Sequence, residues 1–130
     1  MVDTNVLVSG IINSQQAPGR IVDMMRTKAL QLVVDDRILE EYQSVLLGKR
    51  LRKWVVAEDA RDLLAFLFVD SERIVPTIFV RNLPDPGDVP FLEVAITAEV
   101  PLVTGNMKHF PKPLCHGHRI LTPSEFVRLM

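Results

Sequence analysis

Apolar positions along the chain fall into alternating runs with two different spacings. Met1-Val2 forms a strand stub that runs into the polar turn Asp3-Thr4-Asn5. From Pro18 to Lys28, Ile21, Val22, Met24 and Met25 are interleaved with charges, and the early proline fits a helix start. Leu30–Val34 is short and β-branched-rich, the pattern of a buried strand. Asp35 and Asp36 can cap a helix in which Ile38, Leu39, Tyr42, Val45 and Leu46 recur at helical spacing until Gly48. Lys49 to Trp54 is a basic connector, and Glu58 to Val69 predicts a further helix. Arg73–Val80 reads as extended, although Pro76 opposes continuous pairing in a central strand. The turn Leu83 to Asp88 feeds a helix reaching Glu99. Leu102–Thr104 and Arg119–Leu121 are short strands, and Gly105-Asn106 is a turn after the first of them. Thr122-Pro123-Ser124-Glu125 opens a terminal helix with a capping-box pattern.

Strands alternating with helices predict an α/β fold: a three-layer α/β/α sandwich with a central parallel sheet, built as one domain over residues 1–130. Such sheets gather functional groups beyond the carboxyl ends of their strands. Three polar turns qualify here: Asp3-Thr4-Asn5, Asp85 to Asp88, and Gly105-Asn106.

Composition narrows the chemistry. Hydrophobic residues are 48% and charged residues 24%, which excludes a disordered tail. No apolar run is long enough for a membrane span, and no basic-then-apolar start marks a signal peptide. A single cysteine, Cys115, excludes an internal disulfide and a cysteine-based zinc site, so a cytoplasmic setting is expected. The net charge of −1 excludes nucleic-acid binding by bulk positive charge. A polyanion partner must be held by a local patch or by metal ions.

Each candidate acid has a competing structural role. Asp3 can form an Asx-turn or cap a helix, Asp88 stands at an expected N-cap, and Asn106 fits a left-handed turn. Helix geometry separates Glu40 from Glu41. At about 100° per residue, Glu40 points away from the apolar stripe while Glu41 falls beside Val45 at its margin. An acid at a buried margin needs a cationic partner or a metal. Asp3, Glu41, Asp88 and Asn106 converge from separate elements, and their carboxylates repel unless a cation joins them. Oxygen donors without cysteine or clustered histidine favour Mg²⁺ or Mn²⁺, and hence phosphoryl chemistry.

At these residues the chain resembles the PIN domain family, most closely its bacterial toxin–antitoxin toxins. The matching stretches are Asp3 to Ser9, Leu39-Glu40-Glu41-Tyr42 with Val45-Leu46, Asp85-Pro86-Gly87-Asp88 with Phe91 to Ala95, Leu102 to Asn106, and Ile120 to Phe126. The resemblance implies a metal-dependent ribonuclease whose acids fall on Asp3, Glu41 and Asp88. The fourth position, often Asp, is Asn106, which offers a carbonyl oxygen but no charge. Asn5 and Thr104 are implied to orient the acids, and Asp85 to serve as an accessory carboxylate or a turn former. One or two ions would activate water for in-line attack, leaving a 5′-phosphate and a 3′-hydroxyl. Family members carry several apolar residues before the first acid, where this chain has Met1-Val2. A short first strand is therefore expected, and a natural start further upstream stays open.

Lys49, Arg50, Arg52 and Lys53 with Trp54 are the densest basic cluster for RNA, against a solvated helix end with Trp54 in the core or a subunit contact. Lys108, Lys112 and Arg119 compete for substrate by their closeness to Asn106. His109, His116 and His118 could suggest acid–base catalysis of the metal-free kind, but their clustering near Pro111 and Pro113 in a loop favours surface residues. The functional expectation is an RNA-cleaving, homodimeric toxin neutralised by a small antitoxin. Two alternatives are a PIN-fold binding module with little catalysis and a phosphoacceptor receiver domain. The latter fits poorly because Asp3-Thr4-Asn5 lacks its acid pair and Arg119 to Thr122 lacks its lysine.

Overall fold

Backbone pairing in this α/β chain is sparse, and side chains do much of the joining. The computed structural model describes residues 1–130. Its helices are α1 (Thr4–Ile12), α2 (Ala17–Arg26), α3 (Asp36–Leu46), α4 (Ala57–Asp70), α5 (Val89–Ala98) and α6 (Pro123–Leu129). Its strands are β1 (Val33–Val34), β2 (Glu72–Arg73), β3 (Leu102–Val103) and β4 (Ile120–Leu121). β1 pairs in parallel with β2, and β3 in parallel with β4. Val2 bridges in parallel to Val103, which extends the second pair.

Pairing is therefore confined to two separate parallel patches rather than one continuous sheet. The strand expected over Leu30–Val34 is regular only at Val33–Val34. The extended run Arg73–Val80 leaves its partner after Ile74, whose N–H still donates to the Val34 carbonyl at 2.8 Å, and Pro76, which lacks an N–H, lies in the unpaired part.

The main difference from expectation is α1. The run Thr4-Asn5-Val6-Leu7-Val8-Ser9 is rich in β-branched residues, and the polar turn was expected to end at Asn5. Instead the chain enters a helix directly at Thr4, with Val6, Leu7 and Gly10 on the buried face. Burial of that face against α2 outweighs weak local propensity. Gly10 makes this approach close: a Cβ there would stand 2.6 Å from both the Pro18 carbonyl oxygen and Val22 Cγ2.

Other local signals are realised. Asp35 Oδ1 accepts the Ile38 N–H at 3.0 Å, capping α3. Thr122 and Glu125 exchange both capping-box hydrogen bonds at the start of α6. Tyr42 on α3 is fully buried, donates its hydroxyl to the Val2 carbonyl, and stacks tilted on Phe91 of α5 with ring centroids 6.1 Å apart. Trp54 is 69% exposed, so it is not a core residue. No helix is long and apolar enough to cross a membrane.

Gly10→Ala should destabilise the protein by about 1–2 kcal/mol. Alanine gains up to ~1 kcal/mol of helix propensity. The added methyl meets a backbone oxygen that cannot rotate aside, and overpacking of this kind costs ~1–3 kcal/mol. Urea unfolding should show a lower midpoint with an unchanged slope.

Candidate functional site

Asp3 is held directly after the Val2 bridge by its own N–H, which donates to the Val103 carbonyl at 2.9 Å. Its buried carboxylate accepts from Thr104 Oγ1 at 2.8 Å through Oδ2 and from the Asn5 N–H at 3.3 Å through Oδ1. The second bond caps α1, so Asp3 fills the structural role as well and keeps its carboxylate fixed. Thr104 Oγ1 in turn accepts the Asn106 N–H at 3.1 Å. Asn5 acts through its backbone. Its side chain is exposed and makes no hydrogen bond, so the orientation it gives Asp3 comes from the backbone N–H.

Glu41 is half-buried on α3, whereas Glu40 is exposed. Thr4 Oγ1 donates to Glu41 Oε2 and ties α3 to the start of α1. Burial raises the Glu41 pKa. The Thr4 hydrogen bond opposes this, and the charges of Asp3 and Asp85 add to it.

Asp88 immediately precedes α5, yet its side chain makes no capping hydrogen bond. The residue is only 8% exposed, and its Oδ2 is fully shielded with no hydrogen-bond donor. His109 Nδ1 lies 3.0 Å from that oxygen, an ion-pair distance without hydrogen-bond alignment. Burial pushes the Asp88 pKa up to about 6. Asp3 adds to the rise, His109 opposes it, and Asp85 and Glu41 contribute further repulsion. Asp85 itself is exposed, and its Oδ1 accepts the Gly87 N–H at 2.9 Å as a turn former does. Ligand atoms of Asp85, Asp88 and His109 all lie within 4.8 Å of one another. Asn106 is half-buried, and its Oδ1 accepts the Lys108 N–H at 3.2 Å, capping the turn Met107–His109.

The charges of Asp3, Glu41 and Asp85 all act on Asp88, and Asn106 is linked to Asp3 through Thr104, but the ligand atoms that lie within 4.8 Å of one another are those of Asp85, Asp88 and His109 and not those of Asp3 or Glu41. Two residues here were not among the expected site residues. Thr4 is signalled only by its place beside Asp3, and His109 is legible only as one of three loop histidines, with its place three residues after Asn106 the one local sign of this role. His109 is partly exposed on a turn, in keeping with the surface position expected of it, and its ring also lies against Asp88. The buried, donorless oxygen of Asp88 within an oxygen-rich set fits a hard divalent cation.

A second acidic pair provides the contrast. Arg37 bridges Asp35 at 2.7 Å and the buried Glu93 at 2.9 Å, and Glu93 also accepts the Val80 N–H at 2.9 Å. Those acids are satisfied by the protein, whereas Asp88 is not.

The PIN domain family matches over residues 1–108. This chain belongs to the PIN domain family. It is also 31% identical over 108 residues to an uncharacterized protein of Methanocaldococcus jannaschii, an alignment covering 82% of this chain and 69% of that one. No solved structure matches it. PIN domains are generally nucleases and typically use divalent metals. In this PIN domain Lys49, Arg50, Arg52 and Lys53 lie exposed on the turn after α3, and Lys108 is exposed beside His109. None of these cations takes part in an ion pair.

A pH dependence follows for the protein kept free of metal by a chelator. The folded Asp88 pKa of about 6 lies above its unfolded value, ~3.9. Its contribution to stability is therefore complete below that unfolded value and is lost as pH rises through about 6. The expected loss is roughly 1 kcal/mol after solvent screening. In urea unfolding, Asp88→Asn should flatten the profile across this window and be at least as stable as the parent in mild alkali.

Proposed function

We propose that this PIN domain is a divalent-metal-dependent endoribonuclease, the toxin of a toxin–antitoxin pair. The observation that carries the reading is the donorless, buried oxygen of Asp88, coupled to Asp3 and Glu41 with no lysine or arginine neutralising them. Asp3, Glu41 and Asp88, with the carbonyl of Asn106, would hold Mg²⁺ or Mn²⁺. When bound, such an ion activates water and neutralises charge on a phosphodiester in the transition state. Thr104 and Thr4 keep the carboxylates of Asp3 and Glu41 oriented by donating to them. Lys108, and the group Lys49, Arg50, Arg52 and Lys53, would take RNA phosphates, while the exposed Trp54 offers a face for a single-stranded base.

The same reading takes residues 1–130 as one PIN-like domain with a three-layer α/β/α arrangement, working in the cytoplasm. A homodimer and a small antitoxin partner belong to it, supported by the resemblance of the ordered motifs to toxin components. The exposed apolar side chains Trp54, Val56, Phe68 and Val69 supply surface for such contacts. A second reading is favoured by one observation, Asn106 in the position often held by an acid: a PIN-fold module that binds RNA or protein with little catalysis.

With Mg²⁺ or Mn²⁺, single-stranded RNA should be cut to products bearing a 5′-phosphate, and chelator should abolish cutting. Asp3→Asn and Glu41→Gln should each lower kcat by at least about a hundredfold, the scale expected for a lost transition-state contact. Lys49→Ala with Arg50→Ala should weaken binding and flatten its salt dependence. RNA binding without turnover under these conditions would establish the binding module instead. Light scattering should return twice the chain mass of 14.7 kDa.

A further inference from the structure

We propose that His109, together with Asp85 and Asp88, gives the metal site a nitrogen donor that takes over from the missing fourth carboxylate. The inference rests on the metal-site reading above and concerns which atoms complete it.

The first ground is geometric. Ligand atoms of Asp85, Asp88 and His109 lie within 4.8 Å of one another, although the residues come from two separate turns. His109 Nδ1 and Asp88 Oδ2 are 3.0 Å apart but are not aligned to bond each other. Two adjacent ligands of an octahedral ion with bonds of ~2.1 Å are about 3.0 Å apart. An ion-pair distance of this size therefore also lets both atoms reach one such ion. Asp88 Oδ2 is also the one carboxylate oxygen in the protein that is fully shielded and receives no hydrogen bond. A buried anionic oxygen left without a donor is costly unless something else occupies its lone pairs.

The second ground is the use made of Asn106. Its side-chain oxygen accepts the Lys108 N–H, and its backbone oxygen accepts the His109 N–H at 3.1 Å. Both bonds hold the turn Met107–His109 that carries the imidazole. Besides any carbonyl oxygen it lends to the ion, Asn106 thus positions His109. The other histidines are placed differently: His118 Nε2 is 2.6 Å from the Val100 carbonyl oxygen, and His116 is exposed.

Donor type sets the selectivity. A purely oxygen site suits Mg²⁺, whereas imidazole favours first-row transition ions, of which Mn²⁺ best tolerates the remaining carboxylates. The site should therefore prefer Mn²⁺ over Mg²⁺.

The test uses the full chain, stripped of metal and titrated calorimetrically with MnCl₂ and with MgCl₂. Pulsed electron paramagnetic resonance of the Mn²⁺ complex supplies a readout independent of activity. The parent should bind Mn²⁺ more tightly than Mg²⁺ and show a nitrogen hyperfine coupling. His109→Ala should lose about tenfold in Mn²⁺ affinity, change little toward Mg²⁺, and lose the coupling. Because His109 is partly exposed, this variant should stay folded without metal, with at most a small drop in melting temperature from the lost opposition to Asp88. Asp88→Asn should abolish binding of both ions. A parent without nitrogen coupling, or a His109→Ala protein with parental Mn²⁺ affinity, overturns the proposal. Loss of both ions in Asp88→Asn would then leave the acidic site standing. A parent that binds neither ion overturns the acidic-site reading as well.

Discussion

The hydroxyl of Tyr42 donates to the carbonyl of Val2, and the arrangement of the acidic group depends on this bond. Strands of two residues leave few ladder hydrogen bonds to set one element against another. Tyr42 supplies what the ladders do not. Its phenol fixes α3 to the first strand one residue before Asp3, and its ring meets Phe91 on α5 close after Asp88. Glu41 is its neighbour in the chain. One fully buried side chain therefore touches all three elements that bring Asp3, Glu41 and Asp88. An unpaired buried carbonyl costs ~1–3 kcal/mol, so the bond also stabilises the strand end directly. Burial pushes the Tyr42 pKa well above the ordinary phenol value, so the group remains a donor throughout the working pH range.

Two groups of acids share this fold, and hydrogen-bond partners tell them apart. Asp35 and Glu93 face Arg37, the Ile38 N–H and the Val80 N–H, so their charges are matched locally. They brace α3 against α5 and the segment before it. Asp3 and Glu41 are oriented by threonine hydroxyls, which donate hydrogen bonds but carry no charge. Neutral donors position an anion without cancelling it. Repulsion therefore persists among Asp3, Glu41, Asp85 and Asp88, with only His109 opposing it at Asp88. That imbalance, rather than the number of acids, is what makes the second group the candidate place for a cation.

Legibility in the sequence followed the range of the interactions. Caps are local, so the Thr122–Glu125 box and the Asp35 cap were readable from spacing alone. The contrast between exposed Glu40 and half-buried Glu41 came from the helical period. α1 was not readable, because its β-branched run favours a strand until the close approach to α2 at Gly10 is known. The fate of Trp54 depends on which surface the basic turn faces, and no local pattern encodes that. The donorless oxygen of Asp88 was likewise hidden: an N-cap position normally implies a cap, and only tertiary structure shows that the side chain does not make one.

The pairing of Asn106 with His109 connects these observations. A fourth carboxylate at position 106 would add a negative charge to a group in which Asp88 already titrates at about 6. In the absence of metal, that charge would raise the repulsion and lower the stability of the folded state. An amide at this position avoids the extra charge and still accepts the Lys108 N–H that shapes the turn. The cost is a weaker field for a hard cation, since each lost carboxylate removes a charged oxygen donor. Imidazole recovers part of that loss without adding negative charge, because its neutral ring offers a lone pair. In the proposed site, Asn106 and His109 would therefore act in the same direction, trading affinity for the hardest ions against stability of the metal-free fold.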